Sequence, residues 1–155
     1  MEIVDNGFFP GSGRGCGIGL GNFDGLHRGH MALINTLINE CRIHDLQSVI
    51  YTFKKHPEHI LRRSLRTPLI MTTEHKVRYL EKTGVETLFF QEFDEDFSHI
   101  EPEEFIKKIL AEKLNMKLAV VGFNYRFGHK CRGDGELLKK MGRKLGFRVI
   151  IIPPV

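Results

Sequence analysis

No stretch of 18 consecutive apolar residues occurs in the 155 residues, so no transmembrane helix is expected. The opening Met-Glu-Ile-Val-Asp has neither the basic start nor the apolar run of a secretory signal. Cysteine is scarce. Cys16, Cys41 and Cys131 are odd in number and far apart, and they form no Cys-x-x-Cys pair. A disulfide framework is therefore excluded, and a reduced, cytoplasmic compartment fits best. No Gly-Lys dipeptide exists, which removes the Walker A loop. The glycine run over 6–19 fits Gly-x-Gly-x-x-Gly in no register, because the third glycine is always missing. No aromatic-interleaved basic stripe appears, so nucleic acid is not an expected partner.

What is present bounds the answer further. With 41% apolar residues the chain supports one domain with a proper core. Its net charge of +4 suits a polyanionic small ligand. Basic residues gather at Lys54, Lys55, Arg62, Arg63 and Arg66, and again at Arg126, Lys130 and Arg132.

The most informative stretch is Gly21-Asn22-Phe23-Asp24-Gly25-Leu26-His27-Arg28-Gly29-His30. It follows a short Gly/Ile/Leu segment and precedes an amphipathic pattern, so two histidines three apart fall at the mouth of a helix. A helix N-terminus offers unpaired N–H groups and the positive end of the dipole, a ready phosphate site. Two imidazoles there can donate to phosphoryl oxygens whose charge grows during a reaction. Zinc asks for three or four ligands, and no second pair with zinc-finger spacing exists, so no metal site is expected. A Gly-rich turn with two surface histidines would leave the same string. Asp24 is equally suited to capping the following turn.

Hydrophobic periodicity gives an α/β chain. Leu33, Ile34, Leu37, Ile38 and Cys41 predict a helix over 30–43. Strands are predicted at 48–53, 87–90, 118–122 and 147–152. A helix opened by Thr72-Thr73-Glu74 stops at Gly84, one begins at Pro102, and one runs from an Asp134 cap to Gly146. The 6–19 segment reads as a loop, with a first strand over 16–20 that its glycines leave short or weak. Alternating strands and helices predict a Rossmann-like parallel sheet with helices on both faces. Ligands then bind beyond the strands' carboxyl ends. The loops at 21–30, 52–57 and 122–128 each follow a strand and should meet there, gathering His30, His56 and Asn124 around one pocket.

The residues also carry a resemblance. Gly21 to His30 resembles the signature of the HxGH nucleotidyltransferase superfamily. Its form is closest to the FMN adenylyltransferase module of bacterial FAD synthetases, usually bifunctional riboflavin kinase/FMN adenylyltransferases. Thr52-Phe53-Lys54-Lys55-His56-Pro57, Gly84-Val85-Glu86, Pro102-Glu103-Glu104-Phe105, the run from Val120 to Gly128, and Gly133-Asp134 resemble further motifs of that family in the same order. The resemblance implies FMN plus ATP giving FAD plus pyrophosphate, with Mg²⁺ carried on the ATP. It implies His27 and His30 as the catalytic pair. Gly21, Asn22, Phe23, Asp24 and Gly25 would lie with them against ATP. Thr52, His56, Pro57, Asn124, Arg126, Phe127 and Gly128 would lie against FMN or phosphate. A cytidylyltransferase or another HxGH enzyme, and a non-catalytic nucleotide- or flavin-binding module, stay open beside it. The family carries an Ile-Ser-Ser-Thr-x-Ile-Arg-like segment after its last strand and then a riboflavin kinase domain. Residues 1–155 reach neither, so the expectation is one adenylyltransferase-like domain without kinase activity and with weakened turnover.

Overall fold

A computed structural model describes residues 1–9, 11, 13–23, 28–54 and 72–154. Six parallel strands form one sheet: β1 (Glu2–Asp5), β2 (Cys16–Leu20), β3 (Gln47–Phe53), β4 (Thr87–Gln91), β5 (Met116–Gly122) and β6 (Arg148–Ile152). Their order across the sheet is β1-β4-β3-β2-β5-β6. The chain winds outward from β2 in one direction through β3 and β4, then in the other through β5 and β6. The reversal lies between β2 and β5, which pair with Gly17 opposite Leu118 and Gly19 opposite Val120.

Side chains alternate along the strands, so each face buries its own core. Ile18, Leu20, Val49, Tyr51, Phe89 and Val121 share one core with Phe105, Ile106, Leu110 and Leu138. Ile50, Leu88, Phe90, Leu118 and Val120 share the other with Leu33, Leu37, Cys41 and Leu80. Helices α1 (Arg28–His44) and α2 (Thr73–Glu81) cover the second face. The first is covered by α4, which begins at Pro102–Glu104 and continues through Phe105–Lys113, and by α5 (Gly135–Leu145). A single-turn helix, α3 (Glu95–Ser98), precedes α4.

Local signals set the helix ends. The Thr72 hydroxyl accepts from the His75 N–H at 3.1 Å. Asp134 accepts from the Leu137 N–H at 2.9 Å, and Gly146 closes α5 with φ 86°. Three features depart from the sequence expectation. Strand β2 has the expected bounds but is not weak: all five residues are buried, and it lies inside the sheet between β3 and β5. Its glycines allow α1 to press closely. A Cβ on Gly17 would lie 2.4 Å from Cys41 Sγ, and one on Gly19 would lie 2.9 Å from Leu33 and from Ile50. Strand β1, within a segment that carries little periodicity, pairs with β4 at the sheet edge. Finally, Phe105–Lys113 is π-helical, with the Leu114 N–H bonded to the Ile109 carbonyl five residues back.

Two measurements check this packing. Gly17→Ala overfills the α1–β2 contact and is expected to lower stability by about 1–3 kcal/mol in urea unfolding. Removing the opposing sulfur as well, in Gly17→Ala/Cys41→Ala, should recover part of that loss; full additivity would show that the two do not meet. The second concerns thiols. Burial pushes Cys16 up to about 12 and Cys41 up to about 11, from an ordinary value near 9, whereas Cys131 is exposed. A native chain at pH 8 should therefore react with a disulfide reagent once, at Cys131, and three times when unfolded. Below pH 9 the buried thiols are protonated in both states. Above it only the unfolded chain ionises them, so their contribution to stability falls as pH rises through 9 to 12.

Candidate functional site

A cavity of about 860 Å³ opens beyond the carboxyl ends of β2, β5 and β6, at the point where the strand order reverses. Open parallel sheets bind ligands at such a switch point, and the volume is that of a small-molecule site. The cavity has two chemically different ends.

One end is polar. Gly21 and Asn22, just past β2, and Gly29 and His30, in the first turn of α1, line it. Phe23 adopts φ 54°, an uncommon conformation for a bulky side chain. Its ring packs 5.0 Å from the His30 ring, centroid to centroid. Phe23 is 4% exposed and is not among the cavity-lining residues, so it supports His30 from behind. Thr52, expected against FMN or phosphate, is not among the lining residues. It is wholly buried, and its hydroxyl donates to the Asn22 carbonyl at 2.8 Å. Asp24, Gly25, His27, His56 and Pro57 lie outside the described residues.

The other end is aromatic. Phe53, Phe93 and Phe97 pack edge-to-face at 5.3–5.7 Å, and Phe97 continues onto Phe105 at 5.9 Å. Phe105 meets Phe127 at 5.6 Å, and Phe127 stacks on Tyr125 at 5.7 Å. Such a wall presents flat faces to a planar ring system. Burial, with the Cys131 thiol adding to it, holds the Tyr125 phenol above its ordinary range, so it stays a neutral donor.

The loop after β5 joins the two ends. Asn124, Arg126, Phe127 and Gly128 line the cavity together with His30, as the motif spacing predicts. Arg126 Nη1 lies 3.3 Å from Asp134 Oδ2, so the α5 cap also steadies the guanidinium. Gly128 has φ 79°, and a Cβ there would fall 2.6–2.9 Å from Pro102, the first residue of α4. This close approach seats the loop on α4. The next residues continue the lining: the His99 and His129 rings pack at a tilt of 46° with centroids 5.1 Å apart, and Glu101 lies 3.4 Å from His129 Nδ1 and 3.2 Å from Arg132. Lys130 and Cys131 take positive φ on the same rim. Backbone strain of this kind concentrates at binding sites.

Sequence reasoning missed Phe93, Phe97, His99 and His129. No phosphate-type string marks them, and their aromatic residues read as core. The available signal was the capping pattern, Asp94 accepting from the Phe97 N–H at 2.7 Å, which turns that segment over the sheet edge.

This fold and site define a doubly wound α/β protein whose helix terminus and aromatic wall share one switch-point cavity. The profile of the FAD synthetase family matches residues 10–155. A bifunctional riboflavin kinase/FMN adenylyltransferase from Escherichia coli strain K12 is 34% identical over 136 residues, 88% of this chain and 44% of that protein. One of the same description from Bacillus subtilis strain 168 is 35% identical over 115 residues, 74% of this chain and 36% of that protein. The chain thus spans less than half the length of these curated relatives. A crystal structure described as a macrolide-efflux protein from Streptococcus pneumoniae superposes with TM-score 0.82 at 28% identity, covering 100% of this chain and 51% of that one. Among the described residues of this chain, no helix is long and apolar enough to cross a membrane. The chain belongs to the FAD synthetase family.

Asp134 gives a direct test of the site's scaffolding. Asp134→Ala loses the cap and should cost about 1 kcal/mol in urea unfolding. Asp134→Asn keeps a side chain that caps as well and loses only an exposed ion pair, so its stability should stay within about 0.5 kcal/mol of the parent.

Proposed function

We propose that residues 1–155 act as one nucleotidyltransferase domain that joins FMN to the adenylyl group of ATP. The observation that carries this reading is one cavity lined both by a helix-terminus histidine and by an aromatic wall. An oxygen of the FMN phosphate attacks the α-phosphorus of ATP. The bond from that phosphorus to the bridging oxygen of the β-phosphate breaks, and pyrophosphate leaves. FAD is the other product.

Phosphoryl chemistry of this kind asks the protein for positioning and charge stabilisation more than for covalent help. The Asn22 N–H and the first N–H groups of α1 donate to phosphate oxygens. His27 and His30 donate to the oxygens that gain charge as pyrophosphate departs. Asn124 orients a phosphate or a flavin edge, and Arg126 pairs with phosphate. Phe53 and Tyr125 give the flavin ring its faces, backed by Phe105, while the aromatic wall excludes water from that end.

Magnesium enters this reading with the nucleotide. Mg²⁺ on a triphosphate keeps several waters and takes one or two protein oxygens. Among the described residues no group of three His, Cys, Asp or Glu is arranged to hold a metal. The lining does offer the Glu95 carboxylate and the Asn124 amide oxygen, which fits an ion held mainly by phosphate. Such an ion supplies charge neutralisation along the triphosphate. The three free cysteines agree with a reducing, cytoplasmic setting.

The test is incubation of the chain with FMN, ATP and Mg²⁺, with FAD and pyrophosphate quantified. FAD should form with ATP, and CTP should not replace it. His30→Ala should reduce the rate about 10²–10³-fold, the usual effect of losing one preorganised donor, with near-parental FMN affinity. FMN and ATP binding without any FAD would overturn the enzymatic reading in favour of a binding module.

A further inference from the structure

The ends of parallel strands leave carbonyls that the ladder no longer satisfies, and a buried carbonyl needs a donor. At the end of β2 that problem falls on Asn22, one residue before the left-handed turn at Phe23. Its carbonyl accepts from two side chains at once. The Thr52 hydroxyl, on β3, donates at 2.8 Å, and the Lys76 ammonium, on α2, also donates at 2.8 Å. Lys76 Nζ lies 3.5 Å from the Phe53 carbonyl at the end of β3 as well. Lys76 is 3% exposed, and lysine is almost never that buried unless it is paired. It does not line the cavity. A buried ammonium on backbone carbonyls is a costly way to fix a loop. Two of its contacts are with the strand ends that lead into the polar and the aromatic parts of the site.

We propose that Lys76 and Thr52 form a clamp on the Asn22 carbonyl that positions His30. The clamp fixes the peptide before Phe23, and that peptide sets the left-handed turn. The turn aims the Phe23 ring against the His30 imidazole, 5.0 Å away. Lys76 and Thr52 are therefore positioning residues that act through Phe23. A charge-bearing clamp suits this place, because a donor to a carbonyl is stronger when it is ionised. Catalytic groups misplaced by about 1 Å lose on the order of a hundredfold in rate.

The assignment is tested on the whole chain with Lys76→Met and Thr52→Val, each close in shape to the residue it replaces but unable to donate. The first readout is independent of activity: the imidazole resonances of His30, assigned by their loss in His30→Gln, which the Phe23 ring shifts from their ordinary position. Both variants should move them toward the unstacked position, while those of His44, at the far end of α1, stay in place. The second readout rests on the adenylyltransferase reading. Lys76→Met should lower kcat about 10–100-fold and leave the Kd for FMN within twofold, because the aromatic wall is untouched. A folded Lys76→Met chain with unmoved His30 resonances overturns the clamp. If Lys76→Met does not fold, Thr52→Val decides by the same measurement on the same carbonyl. A parent chain that makes no FAD defeats the proposed function, and the resonances still decide the clamp.

Discussion

The contact between α1 and β2 governs where everything else can be. Two positions without side chains, Gly17 and Gly19, let Leu33, Leu37 and Cys41 descend onto the central strand, closer than any Cβ would permit. A helix held that tightly cannot slide along the strand or lift at one end. Its N-terminus is consequently pinned beyond the carboxyl end of β2, beside β5, where the sheet reverses direction. The first turn of α1 then lines the cavity with Gly29 and His30, at the positive end of the helix dipole. A larger residue at either glycine would push the helix outward and carry His30 with it.

From that fixed point the cavity is lined by two kinds of surface, suited to two kinds of ligand chemistry. Phosphate is recognised by donors and dipoles that must be rigid, because their benefit depends on not reorganising. The polar end accordingly rests on backbone and on a histidine packed against Phe23. A planar ring system is recognised by area and stacking, which tolerate small displacements. The aromatic end accordingly draws on several elements: the end of β3, α3 and the segment before it, α4 and the loop after β5. The loop after β5 touches both ends. Its own geometry is secured by Gly128 against Pro102 and by the Asp134 cap, which also holds Arg126.

Much of this frame is legible in the amino-acid sequence. The caps at Thr72 and Asp134 and the Gly146 stop are local chemistry, written in one or two residues each, and they fall where the sequence puts them. The apolar runs of β3 to β6 read as strands because parallel strands are buried on both faces. The meeting of His30 with Asn124 follows from chain order alone. The gaps have physical causes as well. In β2, glycine weakens strand propensity, and its compensation lies in a helix whose packing no local window contains. In β1, four residues at a sheet edge carry little periodicity, so nothing separates them from loop. Lys76 has no local signal of burial, because its surroundings include carbonyls from segments more than 20 residues away.

The π-helical stretch shows how the core and the site impose on one helix. In regular α geometry the sheet-facing positions repeat at three and four residues. Ile106, Leu110 and Leu114 keep a step of four, whereas the step from the equally buried Phe105 to Leu110 is five. Five-residue turns bring Phe105 closer to the line of Leu110 and Leu114, so one helix supplies Phe105 to the rings of Phe97 and Phe127 and Leu110 and Leu114 to the core. Poorer hydrogen-bond geometry in the helix is thus offset by satisfying both. Wide turns of this kind are rare in proteins and concentrate at functional sites for this reason. The irregularity is a consequence of one element serving two surfaces, and it lies where the aromatic wall joins the hydrophobic core.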